Sequence, residues 1–409
     1  MKKNKMVNNT VMLYLMNIAK MLFPLITLPY LTRVLSVECY GVVAYVKSVM
    51  QYMQILIDFG FLLSATKDIV LAKSDKKKIG QIMGESLIAK AILSALAALV
   101  LIIMTLTISI LRKYILFTFL SFGTVVLSIF LMDYLFRGLE KMHIITIRFI
   151  VMKSISTVLT LVFVRNDGQL MLIPIFDIIS SFVAAVMCIN EAKKLKIVFS
   201  VRGMANVFES LKKSAVYFMS NMATTAFNGL NTLLIGIFAS VQDVAQWSII
   251  IQLISAVQAM YSPITGGIYP EMIRSRNIKI IKKTLIIFMP VIILGSSVCY
   301  FGADIILRIV GGEKYVMASN VFRMAVPLLI ISFPAMLLGW PTLGAIGKEK
   351  ETTGTTILTA VAQVIGLVIL ILIHNMTLIS LAILRSLTEF IMLLARVSLA
   401  VRYKDEFKK

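Results

Sequence analysis

Two sets of four residues interrupt an otherwise apolar stretch near the start of the chain. Asn17, Lys20, Pro24 and Thr27 are spaced i, i+3, i+7 and i+10, and Lys47, Gln51, Gln54 and Asp58 are spaced i, i+4, i+7 and i+11. Each spacing puts its four residues on one face of a 3.6-residue helix. Ammonium groups in such a row can bind an anion, amides can hydrogen-bond hydroxyls, and a carboxylate can act as counter-ion or proton carrier. Oily helices marked by one polar line are expected where membrane helices border an aqueous cavity.

More charge lies in apolar runs further along. Lys90, Lys153, Arg323, Arg385 and Arg396 add to the cations, while Asp58, Asp133, Asp177 and Glu389 are the main acids. A charge at mid-bilayer costs about 2.5–3.5 kcal/mol on insertion scales, so several together favour a shared watery space over lipid. The excess of cations predicts an anionic cargo. A shift of 204 residues takes the first stripe onto Asn221, Thr224, Asn228 and Asn231. That second wall is neutral and suits hydroxyls, so a sugar joined to a phosphate fits both. Plainer readings compete. Lys90 and Lys153 can snorkel, Asp58 can serve an interhelical salt bridge, and Arg323 can simply mark an interface. Arg385 and Glu389, at i and i+4, can neutralise each other.

Enzyme chemistry finds little material. The two histidines, His143 and His374, fall in loops on opposite sides of the membrane, and no G-x-x-x-x-G-K-[ST] sequence is present. Cys39, Cys188 and Cys299 are far apart and match no metal or disulfide spacing. No cofactor is expected. The net charge of +21 sits in short clusters between apolar runs, without a nucleic-acid-binding motif, and suits anionic lipid headgroups.

The elements that position these residues are membrane helices. The 409 residues are 59% hydrophobic and 15% charged, with mean hydropathy +0.92, against about 45–50% and about 25% in soluble domains. Apolar runs predict twelve spans, at about 10–32, 42–66, 82–111, 115–136, 145–164, 170–189, 214–238, 246–270, 284–301, 321–343, 355–374 and 377–401. The basic start, Met1–Lys5, reads as the flank of a retained first span. One alternate set of loops holds about 28 Lys and Arg and the other about 6. The positive-inside rule therefore puts both termini in the cytoplasm. The expected architecture is an all-α polytopic membrane protein of two six-helix lobes, 1–196 and 197–409. Six spans per lobe make a parallel repeat, with the site between the halves. The prolines lie in or at the ends of spans, and Pro24–Pro29 and Pro327–Pro334 are the candidates for bending.

The residues also resemble a known family. Pro24-Leu-Ile-Thr-Leu-Pro-Tyr-Leu-Thr-Arg33-Val-Leu, then Tyr40-Gly41, Asp58-Phe-Gly60 and Ser64-Ala-Thr-Lys67, resemble the start of Wzx-type polysaccharide flippases. These belong to the multidrug/oligosaccharidyl-lipid/polysaccharide (MOP) exporter superfamily. Phe136-Arg-Gly-Leu-Glu140-Lys-Met142, Asn231-Thr-Leu-Leu-Ile-Gly236, Ser262-Pro-Ile264 with Tyr269-Pro270, and Leu343-Gly-Ala-Ile-Gly-Lys348-Glu-Lys350 continue the likeness along nearly the whole chain. It implies transport of undecaprenyl-diphosphate-linked oligosaccharide across the bacterial inner membrane through a cationic cavity, with H+ or Na+ antiport. A polysaccharide polymerase and chain-length machinery are candidate partners. Arg137 stands where glutamine is usual and Glu271 where a basic residue is common; both sit near the expected cytoplasmic entrance. Lys20, Lys47 and Arg33 are the expected diphosphate contacts. Gln51, Gln54, Lys90, Lys153, Asn221, Thr224, Asn228, Asn231, Arg323 and Arg385 are further cavity candidates. Asp58, Asp133, Glu389, Arg137 and Glu271 are candidates for coupling or gating. A drug/cation antiporter of the same superfamily would prefer an acidic cavity. A glycan polymerase would need a larger outer loop than residues 302–320.

Overall fold

The computed structural model describes residues 2–72 and 75–407, with the side chains of residues 2–8, 10, 220–221 and 223–228 outside the described set. Every regular element among the described residues is helical. The chain divides into two compact units, Met1–Met222 and Ala223–Lys409.

The first unit contains α1 (Lys2–Val34), α2 (Val37–Asp58), α3 (Phe61–Leu71), α4 (Lys76–Thr107), α5 (Ser109–Lys113), α6 (Ile115–Leu127), α7 (Asp133–Gly138), α8 (Met142–Phe163) and α9 (Leu172–Lys194). The division falls within α10 (Met204–Phe238). The second unit continues with α11 (Val241–Ala259), α12 (Tyr261–Ser275), α13 (Ile278–Phe301), α14 (Ala303–Gly311), α15 (Ser319–Ala325), α16 (Pro327–Leu337), α17 (Glu349–Leu372) and α18 (Leu378–Arg402).

Ten helical stretches among the described residues are long and apolar enough to cross a membrane. The spans expected at 42–66 and 214–238 are not among them. The first falls on α2 and α3, where the polar stripe itself lowers the hydropathy. The second falls on α10, part of which lies outside the described residues; among those described its apolar stretch is Gly229–Phe238.

Local chemistry explains the breaks. The Ser36 hydroxyl caps α2 by accepting from Cys39 N at 3.2 Å. That helix ends where Phe59 turns left-handed (φ 40°) and Gly60 follows at φ 81°. A Cβ at Gly60 would lie 2.7 Å from Ser214 O, so only glycine fits there. The expected span at 115–136 likewise breaks at Met132, φ 46°, and restarts as α7. Gly138 lets α7 close on α3, because a Cβ there would sit 2.7 Å from Ile69 Cγ2.

Packing then fixes the helices within each unit. In the first, α8 packs on α1 and α9, α6 on α9, and α2 on α4 and α6. Tyr134, Leu135, Phe136, Phe61 and Ile69 are fully buried where α3 and α7 meet. In the second unit, α18 packs on α15, α16 and α17. Large apolar residues on the outer faces, among them Ile286, Val291, Leu294 and Phe301 of α13, stay exposed, as lipid-facing surface requires.

Candidate functional site

The polar stripe of α1 and α2 meets charges from α4, α7, α8 and α9 within the first unit. Lys90 donates to Asp58 Oδ1 at 2.7 Å, and Gln54 donates to Asp58 Oδ2 and Ser128 Oγ, each at 2.9 Å. Arg148 Nη2 donates to both oxygens of Asp133, at 2.8 and 3.0 Å. In both ion pairs the cation is buried, with side chains 6% and 4% exposed, and the carboxylate is half open, at 42% and 37%. Asp133 also feels Asp58, Lys90 and Arg137. The two pairs therefore belong to one electrostatic cluster.

Lys20 sits beside this cluster. The charges of Asp133, Arg137 and Arg148 act on it, and its ammonium lies 5.8 Å from the centre of the Phe149 ring. A second group contains Lys47, Lys153 and Asp177, with Ser156 hydrogen-bonded to Asp177. Lys20 and Lys47 are solvent-accessible and Lys153 is half-buried. None of the three forms an ion pair among the described residues. A low-dielectric surround strengthens attraction between such ammonium groups and an incoming anion. Gln51 is exposed on the same stripe, and Arg33 is exposed at the end of α1. Arg137 is half-buried, and its Nε has no hydrogen-bond partner.

Several expected cavity residues are held elsewhere. The Lys90 charge is taken up by Asp58. Asn231 does not line an open wall: it is 2% exposed and accepts from Gln363 Nε2 at 3.0 Å, while Thr388 donates to Gln363 Oε1 at 2.8 Å. Amides can satisfy each other, so this part of the second stripe closes into a relay joining α10, α17 and α18. Arg323 is likewise a local brace. It donates to Asp304 Oδ2 at 2.6 Å, Asn320 Oδ1 at 2.9 Å and the Tyr300 carbonyl at 3.3 Å. The side chains of Asn221, Thr224 and Asn228 lie outside the described residues. Glu271 is exposed and pairs with Arg274 at 3.2 Å. Glu389 is buried and feels both Arg385 and Arg396.

Arg148 is the main residue missing from the sequence reading. It falls near the start of the span expected at 145–164, and α8, starting at Met142, carries it inside the unit. Arg396, counted among the buried cations from the sequence, has no role assigned there. Its guanidinium donates to Ala335 O at 2.6 Å and to the hydroxyls of Thr355 and Thr356 at 3.1 Å each.

The chain as a whole is similar to known proteins. The profile described as "Polysaccharide biosynthesis protein" matches residues 6–276. A putative O-antigen transporter of Shigella dysenteriae is 26% identical over 88% of this chain and 91% of its own. One of Escherichia coli (strain K12) is 25% identical over 84% of each. Among solved structures, an inward-facing multidrug resistance MATE family transporter of the MOP superfamily superposes with TM-score 0.67 at 14% identity, covering 96% of this chain and 94% of that one. A MOP superfamily transporter from Pyrococcus furiosus, described as having a binding pocket of reversed polarity, gives TM-score 0.53 at 13% identity, covering 98% and 97%. The fold is that of MOP superfamily transporters.

Proposed function

Because the chain belongs to the polysaccharide biosynthesis protein family, we propose that it is a flippase for polysaccharide repeat units. Its cargo is an undecaprenyl-diphosphate-linked oligosaccharide, carried across the bacterial cytoplasmic membrane by alternating access. The product feeds a surface polysaccharide such as O-antigen or capsule. The naming of two relatives as putative O-antigen transporters supports the end use.

One observation carries the proposal: Lys20 and Lys47 stand in apolar helices, accessible and in no salt bridge among the described residues. A diphosphate supplies the missing counter-charge. Lys153 and Arg33 extend the same charge, and Gln51 offers an amide to hydroxyls. Asp58 and Asp133, each backed by a buried cation, act as resident counter-ions that keep the empty site from excessive self-repulsion. Arg137 and Glu271 tune entry at the cytoplasmic side, and H+ or Na+ antiport supplies the drive.

Cells lacking the protein should accumulate the lipid-linked unit on the inner leaflet. Complementation with Lys20→Ala/Lys47→Ala, at unchanged membrane level, should fail to restore surface glycan. Full restoration by the double variant would overturn the assignment of the diphosphate site. A gain in dye resistance, with no lipid-linked intermediate on deletion, would point to a drug antiporter.

A further inference from the structure

The segment between α9 and α10 is not a free linker. Lys196, φ 55°, turns the chain after α9, and residues 197–202 then run along the start of α4. Two glycines one helical turn apart make room for it. A Cβ at Gly80 would lie 2.1 Å from Val198 O, and one at Gly84 would lie 2.1 Å from Ser200 O. Ser200 N donates to Gly80 O at 3.3 Å. Arg202 closes the strap with a two-pronged bond to Glu85, Nε to Oε1 at 2.7 Å and Nη2 to Oε2 at 2.9 Å. The Glu85 side chain is only 2% exposed, so the strap is pinned at a buried charge.

Its inner side is spent on α4, with Ile197 buried, while Val198 is 77% exposed and Phe199 50% exposed. A fixed strap that displays two large apolar side chains needs a partner. Position and charge identify it. Gly80 lies in the first turn of the apolar part of α4, which begins at Ile79 after Lys76, Lys77 and Lys78. Val198, packed on Gly80, is therefore level with the point where that helix enters the bilayer. Lys76 and Lys77 lie one turn before Gly80 on the same side of the helix, and Lys196 precedes the strap by one residue. All three are exposed and free of ion pairs among the described residues.

We propose that residues 196–202 form a membrane-interface anchor. Val198 and Phe199 enter the headgroup–acyl boundary, and Lys76, Lys77 and Lys196 bind the phosphates of anionic phospholipids around them. Apolar insertion beside a cationic rim is the physical pattern of interfacial lipid binding, and each Lys near an anionic surface adds to the attraction. The anchor ties the start of α10 to the leaflet as well as to α4. It is independent of the cargo assignment.

The test uses the full chain with Cys39 and Cys299 replaced by Ala and a single environment-sensitive fluorophore on Phe199→Cys. A parallel label on Val198→Cys guards against one site disturbing the fold. The protein is reconstituted in phosphatidylcholine vesicles with and without phosphatidylglycerol. The expected result is a blue-shifted emission, quenching by a shallow acyl-chain nitroxide and protection from aqueous iodide. The shift should grow with phosphatidylglycerol and shrink in Lys76→Gln/Lys77→Gln/Lys196→Gln. Iodide quenching at both sites without lipid quenching would overturn the proposal and mark the patch as a water-facing surface for a soluble partner. Lipid quenching indifferent to phosphatidylglycerol and to the lysines would overturn the headgroup assignment.

Discussion

Lys90 and Asp58 meet at 2.7 Å with the ammonium buried and the carboxylate half open to solvent. That asymmetry sets different costs for losing either partner. Without Asp58, a buried ammonium loses its counter-ion, which costs about 3–5 kcal/mol in comparable pairs. Without Lys90, Asp58 keeps water and its hydrogen bond from Gln54, so the cost should be nearer 1 kcal/mol. Asp58→Asn should therefore lower the melting temperature in detergent more than Lys90→Met. The Asp58→Asn/Lys90→Met double variant should be more stable than Asp58→Asn alone. Equal losses in the two single variants would contradict this asymmetry.

Asp133 holds Arg148 but also lies within reach of the Lys20 and Arg137 charges. Removing its charge takes away the carboxylate that pairs with Arg148 and acts on Lys20 and Arg137. On the proposed function, Asp133→Asn should bind a lipid diphosphate in nanodiscs more tightly, up to about tenfold for about 1.4 kcal/mol of added attraction. Release should slow in proportion, and glycan export should fall at constant protein level. Weaker binding with normal export would show that Asp133 does not act as a counter-ion to cargo.

The helical stripe on α1 and α2 was legible because a 3.6-residue period needs only the sequence. Which charge meets which was not. Lys90 and Asp58 are 32 residues apart, and the meeting depends on how α2 packs on α4. Arg148 lay inside the span expected at 145–164, but its meeting with Asp133, 15 residues away, depends on how α8 packs on α7. The 204-residue shift takes the stripe onto polar positions, yet it could not separate amide from ammonium chemistry. Asn231 can satisfy itself against Gln363 inside a core, whereas Lys20 cannot do so without an anion. The strap at 197–202 left a fainter trace in Gly80 and Gly84, four residues apart, which small-residue packing could have flagged.

The relay of Asn231, Gln363 and Thr388 is almost wholly buried, at 2%, 0% and 1% exposed. Thr388→Val removes the donor to Gln363 Oε1 and should cost about 1–3 kcal/mol. Asn231→Leu removes the acceptor for Gln363 Nε2 and should cost a similar amount. Because both act through Gln363, the double variant should fall short of the sum of the singles. Export should track the amount of folded protein in each case. Loss of export by Asn231→Leu at full thermal stability would return Asn231 to the cargo path.

Gly339 breaks the end of α16, with ψ −114° at the start of a wide turn over Leu338–Leu343. Side chains donate to carbonyls around this break, and Pro341 has no N–H to offer the one at Leu337. Arg396 Nη1 donates to Ala335 O at 2.6 Å, and Thr342 Oγ1 donates to Leu337 O at 2.8 Å. A Cβ at 339 would lie 2.8 Å from Arg396 Nη1. Gly339→Ala must therefore displace the guanidinium, at an overpacking cost of about 1–3 kcal/mol. Arg396→Met removes the side-chain donor to Ala335 O and deprives buried Glu389 of one neighbouring cation. The two substitutions remove the same contact, so the double variant should lose less stability than the sum of the singles, with a coupling energy of about 1 kcal/mol or more. Thermal unfolding of the four proteins in one detergent closes the cycle. Additive losses would mean that Arg396 is held by Thr355 and Thr356 alone, and that the broken helix end does not depend on it.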